Sequence, residues 1–262
     1  MVENSTLLVK AVRHYLKLAG SRSIQALGEN LISALNPMLG PGAVAIYLLA
    51  GSQPELVYSN EAPEGLLEEY DHVGSAKDPM LDHVLGTGVP IDNIAMQHQP
   101  DWLAGGNDEF LRRWGFGHCM AGPVLLDRRA VAVVYVARKK EAGAYTRAEL
   151  DFLEAACFSA SLALEVMSAA ELLDEEDQEK IADARTRKEP AKVPRAVALL
   201  PPRAAQVAEL LCKGLTNKAI ARELNISAYT VKDHVSALCQ RFEVSNRTEL
   251  VHRFMLNESY GS

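Results

Sequence analysis

The chain has 262 residues, of which 48% are hydrophobic and 23% are charged. This composition excludes wholesale disorder, and the length predicts two folded units joined by a linker. The longest uninterrupted apolar runs, 42–51 and 130–137, are much shorter than the roughly 20 residues that span a bilayer. Because the amino-terminal segment also lacks a secretion signal, we expect a cytoplasmic protein that makes no contact with a membrane.

The net charge of −7 is unevenly distributed along the chain. Residues 195–256 hold nine Lys or Arg and five Asp or Glu, a net charge of +4, which leaves −11 for the rest of the chain. A basic segment attached to an acidic body predicts that polyanions bind the basic segment. We therefore expect nucleic acid to bind the carboxy-terminal part and the acidic part to perform a different task.

The first predicted elements are two helices and a hairpin. Apolar residues fall at helical spacing between residues 5 and 39, with an interruption near Gly20. Two β-rich runs follow at 43–49 and 55–59. The turn-forming stretch between these runs predicts a β-hairpin.

A less regular segment, 61–108, is dense in Gly, Pro, Asp and His and is expected to pack over one face of a sheet. Two further strands are predicted at 119–126 and 130–137, and a helix opens at Thr146. The predicted order along the chain is two helices, then an antiparallel sheet, then a closing helix. This order is typical of an α+β domain. This layout resembles a GAF domain, a fold that implies a sensor.

The closing helix is predicted to run from Thr146 past residue 180. Thr146 and Glu149 have the spacing of a capping box. An apolar stripe follows the helix and comprises Leu150, Leu153, Cys157, Leu164, Met167 and Ile181. Such a stripe commonly pairs with its copy in a second subunit, which predicts a homodimer; packing against the domain's own sheet is the alternative.

The most specific pattern lies between Leu200 and Phe254. Gly214 closes a first helix, Thr216 caps a second, and Ser227 caps a third. Two short helices joined by a tight turn form a helix-turn-helix, whose second helix enters the major groove of DNA. A small helical protein-interaction module is the alternative interpretation.

This segment resembles the LuxR/FixJ DNA-binding domain. The resemblance rests on three stretches in one register: L-L-P-P-R, G-L-T-N-K-A-I-A-R-E-L-N-I-S-A-Y-T-V-K-D-H-V and V-S-N-R-T-E-L-V. It implies four helices, sequence-specific binding of double-stranded DNA, and RNA polymerase as a candidate partner. The residues expected to contact DNA, either at base edges or along the backbone, are Thr216, Asn217, Lys218, Ser227, Thr230, Lys232, Asp233, Ser236 and Arg247.

Together these patterns predict an α+β, GAF-like sensor and dimerisation domain at residues 1–185 and an all-α, LuxR-type helix-turn-helix domain at 199–262. Pro190 and Pro194 end any helix between the domains, so residues 186–198 are predicted to be a linker.

The sensor domain lacks the marks of a phosphorylated receiver. Such a domain needs an acidic pair after its first strand, whereas this strand ends in Leu48-Leu49-Ala50-Gly51. Direct binding of a small apolar or amphipathic effector is therefore the favoured interpretation. A regulator without a ligand, controlled by a partner protein or by its abundance, is the alternative.

One stretch resembles the acyl-homoserine-lactone-binding domain of quorum sensors. It includes Tyr70, Asp78-Pro79, Pro90, Gly115-Phe116 and Pro123-Val124, although Leu66 stands where that family has a tryptophan. The resemblance implies that Asp78 accepts a ligand amide hydrogen; alternatively, Asp78-Pro79 starts a turn or caps a helix. The candidate ligand-binding residues are Tyr58, Tyr70, Asp78, Trp102, Trp114 and Cys119, although tryptophans and cysteines in such a domain are more often core residues.

The sequence contains few features of a metal site, a disulfide or an enzyme active site. The four cysteines have neither disulfide-like nor metal-like spacing, so we expect reduced thiols, no metal and no cofactor apart from the effector. No phosphate-binding loop, nucleophile elbow or H-E-x-x-H motif occurs, and we do not expect an enzyme. The sequence therefore predicts a LuxR-type regulator that senses an autoinducer-like molecule or a metabolite.

Overall fold

The computed structural model describes residues 16–51, 53–74, 78–97, 100–187, 197 and 200–256. The chain divides into two compact units, one before residue 190 and one after it. Most of the helix predicted before Gly20 lies outside the described residues. Residues 16–19, which are described, are helical. Most of the predicted linker, 186–198, also lies outside them.

The first unit is built on one antiparallel sheet of five strands in the order β2-β1-β5-β4-β3. The strands are β1 (Ala43–Leu48), β2 (Glu55–Asn60), β3 (Ile91–Asp92), β4 (His118–Leu126) and β5 (Arg129–Arg138). Every residue of β1 is buried, because the central strands are covered on both faces.

Three helices cover one face of the sheet: α1 (Ile24–Leu39), α7 (Arg147–Ala169) and α8 (Glu175–Thr186). Ser23 caps α1 by accepting a hydrogen bond from the Ala26 amide at 3.1 Å. The capping box predicted for α7 is present between Thr146 and Glu149. These caps fix where the covering helices begin.

The prediction of one closing helix that runs past residue 180 is wrong. The helix ends at Ala169, Glu171 adopts a left-handed backbone with φ of 53°, and Asp174 caps α8. The stripe predicted to pair with a second subunit is instead buried within its own unit, most of it at Leu153, Cys157, Leu164, Met167 and Ile181. Packing against the sheet, the alternative interpretation, accounts for these residues.

The segment predicted to be irregular forms five short helices that cover the opposite face. They are α2 (Glu64–Glu69), α3 (Pro79–Thr87), α4 (Asn93–Met96), α5 (Pro100–Ala104) and α6 (Asn107–Arg113). A π-helical turn, Tyr70–Gly74, extends α2. A cavity remains between several of these helices and the sheet.

The described part of the second unit is helical: α9 (Pro202–Cys212), α10 (Asn217–Glu223), α11 (Ala228–Arg241) and α12 (Arg247–Leu256). Each helix contributes a fully buried side chain to one core, including Val207, Ile220, Val231 and Phe254. The predicted fold class, an α+β unit followed by a helical one, is confirmed.

A buried arginine ties β5 to the start of α7. The Arg138 side chain donates to the carbonyls of Gly143 at 2.9 Å and Ala144 at 2.6 Å, and to the Glu149 carboxylate at 2.6 Å. Its guanidinium also lies 3.9 Å above the centre of the Tyr145 ring. Partial burial acts to raise the pKa of Glu149, but hydrogen bonds from Arg138 and Thr146 outweigh it and leave the pKa below its ordinary value.

We predict that Arg138→Met lowers the free energy of unfolding of the first unit by about 3 kcal/mol at neutral pH, because it removes a buried guanidinium that donates to two carbonyls and to the Glu149 carboxylate. The pKa of folded Glu149 lies below that of the unfolded chain, so its stabilising contribution is present above the ordinary value and is lost as pH falls through the folded value. The difference between native chain and variant should therefore shrink in acid, as measured by urea unfolding across pH.

Arg147→Met is the matched control, because Arg147 forms an exposed ion pair with Asp151 at 2.8 Å. Its effect should stay within about 1 kcal/mol at every pH. Equal losses in the two variants would contradict the role assigned to Arg138.

Candidate ligand cavity and nucleic-acid interface

The first unit contains a cavity of about 740 Å³ between the sheet and helices α2, α3, α5 and α6. Ala45 and Tyr47 of β1, Tyr135 of β5 and Cys119 of β4 form its floor. Apolar and aromatic side chains dominate the wall, and they include Leu66, Met80, Trp102, Phe110 and Leu111. This volume and lining are typical of a site for a small organic molecule.

Three polar side chains meet at the cavity floor, and we call them the Asp78 cluster: Tyr70, Asp78 and Tyr135. The Tyr70 hydroxyl donates to Asp78 Oδ2 at 2.9 Å and lies 2.7 Å from the Tyr135 hydroxyl. The Tyr135 hydroxyl also donates to Asp78 Oδ2. The cluster therefore joins the end of α2, the start of α3 and strand β5.

Asp78 also caps α3, since its Oδ1 accepts from the Met80 amide at 2.8 Å. The helix cap proposed as one role for Asp78-Pro79 is therefore present. Burial raises the pKa of the Asp78 carboxyl, although hydrogen bonds from Tyr135, Tyr70 and the backbone act to lower it. The carboxyl group is thus held by its own chain before any ligand arrives.

Two further polar groups at the cavity, the Trp102 indole and the Cys119 thiol, also contact their own chain. The Trp102 indole donates to Asp108 Oδ1 at 3.1 Å. The Cys119 sulfur lies 3.4 Å from the Met80 sulfur, and burial raises the pKa of the Cys119 thiol well above its ordinary value. A thiol of this kind is poorly suited to act as a reactive thiolate.

The structure brings four of the predicted ligand-binding residues to the cavity: Tyr70, Asp78, Trp102 and Cys119. Tyr58 lies elsewhere, half-buried against the core on the opposite face of the sheet. Trp114 is not among the lining residues; its ring covers Gly65, and its indole donates to Glu69 Oε2 at 2.8 Å. The placement of Tyr58 and Trp114 in the cavity wall is therefore corrected.

Sequence reasoning missed Tyr47 and Tyr135, which line the cavity floor. Tyr135 is the one polar side chain in the run Ala130–Ala137, an anomaly that could have drawn attention to it. Nothing comparable distinguishes Tyr47 within its buried strand. Its ring centre lies 5.0 Å from that of Tyr70 and 6.1 Å from that of Tyr135.

The helix-turn-helix of the second unit is held by side-chain hydrogen bonds to the backbone. Thr216 and Ser227 cap α10 and α11, accepting from the amides three residues later at 3.3 and 2.9 Å. Asn225 turns the chain between these helices with a left-handed φ of 51°. Arg203 donates to the Leu224 carbonyl at 2.7 Å, which anchors that turn to α9.

Four side chains on one side of α11 are exposed, and we call them the reading face: Tyr229, Lys232, Asp233 and Ser236. Their spacing of three, one and three residues places them on one side of a helix. Tyr229, which sequence reasoning missed, is 72% exposed. Within the described residues, no intramolecular hydrogen bond or ion pair engages these four side chains.

The other residues predicted to contact DNA differ in their exposure and in their hydrogen bonds. Thr216, Lys218 and Ser227 are exposed at the amino ends of α10 and α11, and Asn217 and Thr230 are half-buried there. Arg247 is half-buried and donates to the Leu215 carbonyl at 2.7 Å. Arg247 therefore has a structural partner already.

A second apolar stripe lies on the outer side of α7 and comprises Phe158, Leu162 and Val166, which are 68, 53 and 51% exposed. We call it the outer stripe. Among the described residues, α7 is the one helix long and apolar enough to cross a membrane by length and composition alone. Because the other side of α7 is buried against its own sheet, the outer stripe is what this helix leaves uncovered.

Comparison with known families assigns both units. Residues 23–164 match the family described as GAF domain. Residues 198–254 match the family described as bacterial regulatory proteins, luxR family.

Curated relatives match part of the chain. The nitrate/nitrite response regulator protein NarL of Escherichia coli (strain K12) is 34% identical over 87 residues, 33% of this chain and 40% of NarL. The monoamine regulon transcriptional regulator of Klebsiella aerogenes is 43% identical over 56 residues, 21% of this chain and 25% of that regulator. The chain thus spans less than half the length of these relatives.

Among solved structures, the N-acylhomoserine lactone dependent LuxR family transcription factor CepR2 from Burkholderia cenocepacia is similar over 64% of this chain and 98% of CepR2. The TM-score is 0.49 and the sequence identity is 16%. At these values the similarity carries no inference about what this chain binds.

We predict that Ser227→Ala weakens α11 by about 1 kcal/mol, because the amide of Thr230 loses its acceptor. Hydrogen exchange of the α11 amides, which reports on the second unit alone, should accelerate by a corresponding factor of about five. Ser236→Ala is the control, since Ser236 is exposed in mid-helix and should change exchange little. Equal exchange in the two variants would show that Ser227 is not a stabilising cap.

Proposed function

We propose that this chain is a DNA-binding transcriptional regulator controlled by a small molecule. The chain belongs to the GAF domain family and carries a luxR-family domain at residues 198–254. The observation that carries the proposal is the reading face of α11, whose side chains are exposed and unengaged within a domain that matches DNA-binding regulators. The regulator acts on double-stranded DNA in the cytoplasm, with RNA polymerase as a proposed partner.

The chemistry of the reading face suits the major groove. Lys232 can donate to a guanine edge or to a phosphate, and Asp233 can accept from a cytosine amine. Ser236 can serve either as donor or as acceptor to a base. The capped amino ends of α10 and α11, with Thr216 and Lys218 exposed, supply positive ends and donors for phosphates.

Control by a ligand is supported by the cavity. Its volume of about 740 Å³ lies within the range of small-molecule sites, and the Asp78 cluster adds polar groups to an otherwise apolar wall. A regulator controlled by abundance or by a protein partner has no use for such a cavity. We therefore favour a small apolar or amphipathic effector, as in metabolite or autoinducer sensing.

The outer stripe supports a homodimer. Phe158, Leu162 and Val166 recur every four residues on one side of α7, so a second copy of α7 can cover all three at once. A dimer presents two reading helices to DNA, which matches half-sites about one helical turn apart. In this proposal the outer stripe takes the place of the buried stripe expected from the sequence.

We predict that Lys232→Ala weakens binding to a mixed-sequence DNA duplex and, where Lys232 contacts the backbone, reduces the salt dependence by about 0.9 in the slope of log K against log salt. Fluorescence anisotropy at several salt concentrations measures both quantities.

Arg253→Ala removes the same charge from an exposed position on α12 and is the matched control. It should reduce affinity less than Lys232→Ala does. If Lys232→Ala binds the duplex as the native chain does, α11 is not the DNA-binding element.

We predict that Leu162→Glu converts the dimer to a monomer, because it places a charge at the centre of the outer stripe. Analytical ultracentrifugation of the full chain measures the change. Ala148→Glu adds the same charge at an exposed position on α7 outside the outer stripe and should leave the dimer intact. A monomeric native chain, or a dimeric Leu162→Glu variant, would refute this interface.

A further inference from the structure

Tyr229 is the one large apolar side chain that the second unit exposes among its described residues, and it is 72% exposed. The phenylalanine rings Phe242 and Phe254 instead pack edge to face in the core of this unit, with their centres 5.0 Å apart. Tyr229 has no hydrogen bond, ion pair or ring contact with any residue that the structure describes. Because single exposed rings are common on soluble proteins, its position decides what it can bind.

The position of Tyr229 is the amino end of α11, where it is the second residue of the helix. The chain on either side of it is fixed, because the Ser227 hydroxyl accepts from the Thr230 amide at 2.9 Å and lies 2.9 Å from the Thr230 hydroxyl. Helix-turn-helix proteins contact base edges with residues near the amino end of the second helix. Among the residues of the reading face, Tyr229 is the one closest to this end.

The chemistry of Tyr229 differs from that of the other three members of the reading face. Lys232 is a donor, Asp233 is an acceptor and Ser236 is either, so these side chains suit the hydrogen-bonding edges of bases. The base with an apolar group in the major groove is thymine, whose 5-methyl group projects there. A tyrosine ring matches this methyl group, because their contact removes apolar surface of both from water. The ring matches a phosphate less well, since its face is electron-rich.

We propose that Tyr229 is a specificity-determining residue, whose ring packs against the 5-methyl group of a thymine in each half-site. Lys232, Asp233 and Ser236 then distinguish the neighbouring base pairs through hydrogen bonds. This inference rests on the proposed DNA-binding function and names one base that the reading face selects. A phosphate contact through the Tyr229 hydroxyl is the competing role, and the experiment separates the two.

The test uses the full chain and the duplex that it enriches most from a random-sequence pool. Each thymine of one half-site is replaced in turn by uracil, which removes the 5-methyl group and keeps the hydrogen-bonding edge. Fluorescence anisotropy gives the dissociation constant of each duplex. For the native chain, we expect uracil at one position to weaken binding about fourfold, the effect of burying one methyl group.

Two variants identify the part of Tyr229 that makes the contact. Tyr229→Ala removes the ring, so the fourfold loss caused by uracil at that position should disappear, as a double-mutant cycle requires for two groups in contact. Tyr229→Phe keeps the ring and should retain the fourfold loss. His252→Ala removes an exposed ring from α12 and is the matched control, which should also retain the loss.

Three results overturn the inference alone. They are an enriched half-site without thymine on either strand, native binding that no uracil weakens, and a uracil effect that persists in Tyr229→Ala. Persistence of that effect, together with equally weaker binding of every duplex by Tyr229→Phe, assigns Tyr229 to a phosphate. If the full chain enriches no duplex at all, the proposed function fails, and this inference fails with it.

Discussion

Buried polar groups must find partners, and in the first unit this constraint acts most strongly at Asp78. Its carboxyl group is taken up by Tyr70, Tyr135 and the amino end of α3, which are contributed by three separate elements. These bonds link the end of α2 and the start of α3 to strand β5, and all three side chains line the cavity. The ring of Tyr47 packs against those of Tyr70 and Tyr135, and its buried hydroxyl has no hydrogen-bond partner among the described residues.

The same constraint separates structural from exposed groups in the second unit. Ser227 and Thr216 satisfy helix amides, while Arg203 and Arg247 satisfy carbonyls at the turns. A basic residue can therefore be structural even in a segment whose net charge favours DNA. The side chains of the reading face are exposed and have no such role within the described residues.

Much of this architecture could be predicted from the sequence. The strands and the helix-turn-helix follow from apolar periodicity and from the caps at Thr216 and Ser227, and matches at 23–164 and 198–254 confirm the GAF and luxR resemblances. The break after Ala169 could not be predicted, because it has no Gly or Pro and depends on Glu171 in a left-handed conformation. The face on which Tyr58 lies depends on a register shift between β1 and β2, and a shift of one residue reverses the faces of a strand.

The most direct test of the account is selection of bound duplexes from a random-sequence pool by the full chain at moderate ionic strength. If the reading face of α11 recognises bases, the pool should converge on one sequence family, arranged as two related half-sites about one helical turn apart. Retention of duplexes in proportion to the starting pool, with no enriched sequence, would contradict the central claim that this helix reads DNA.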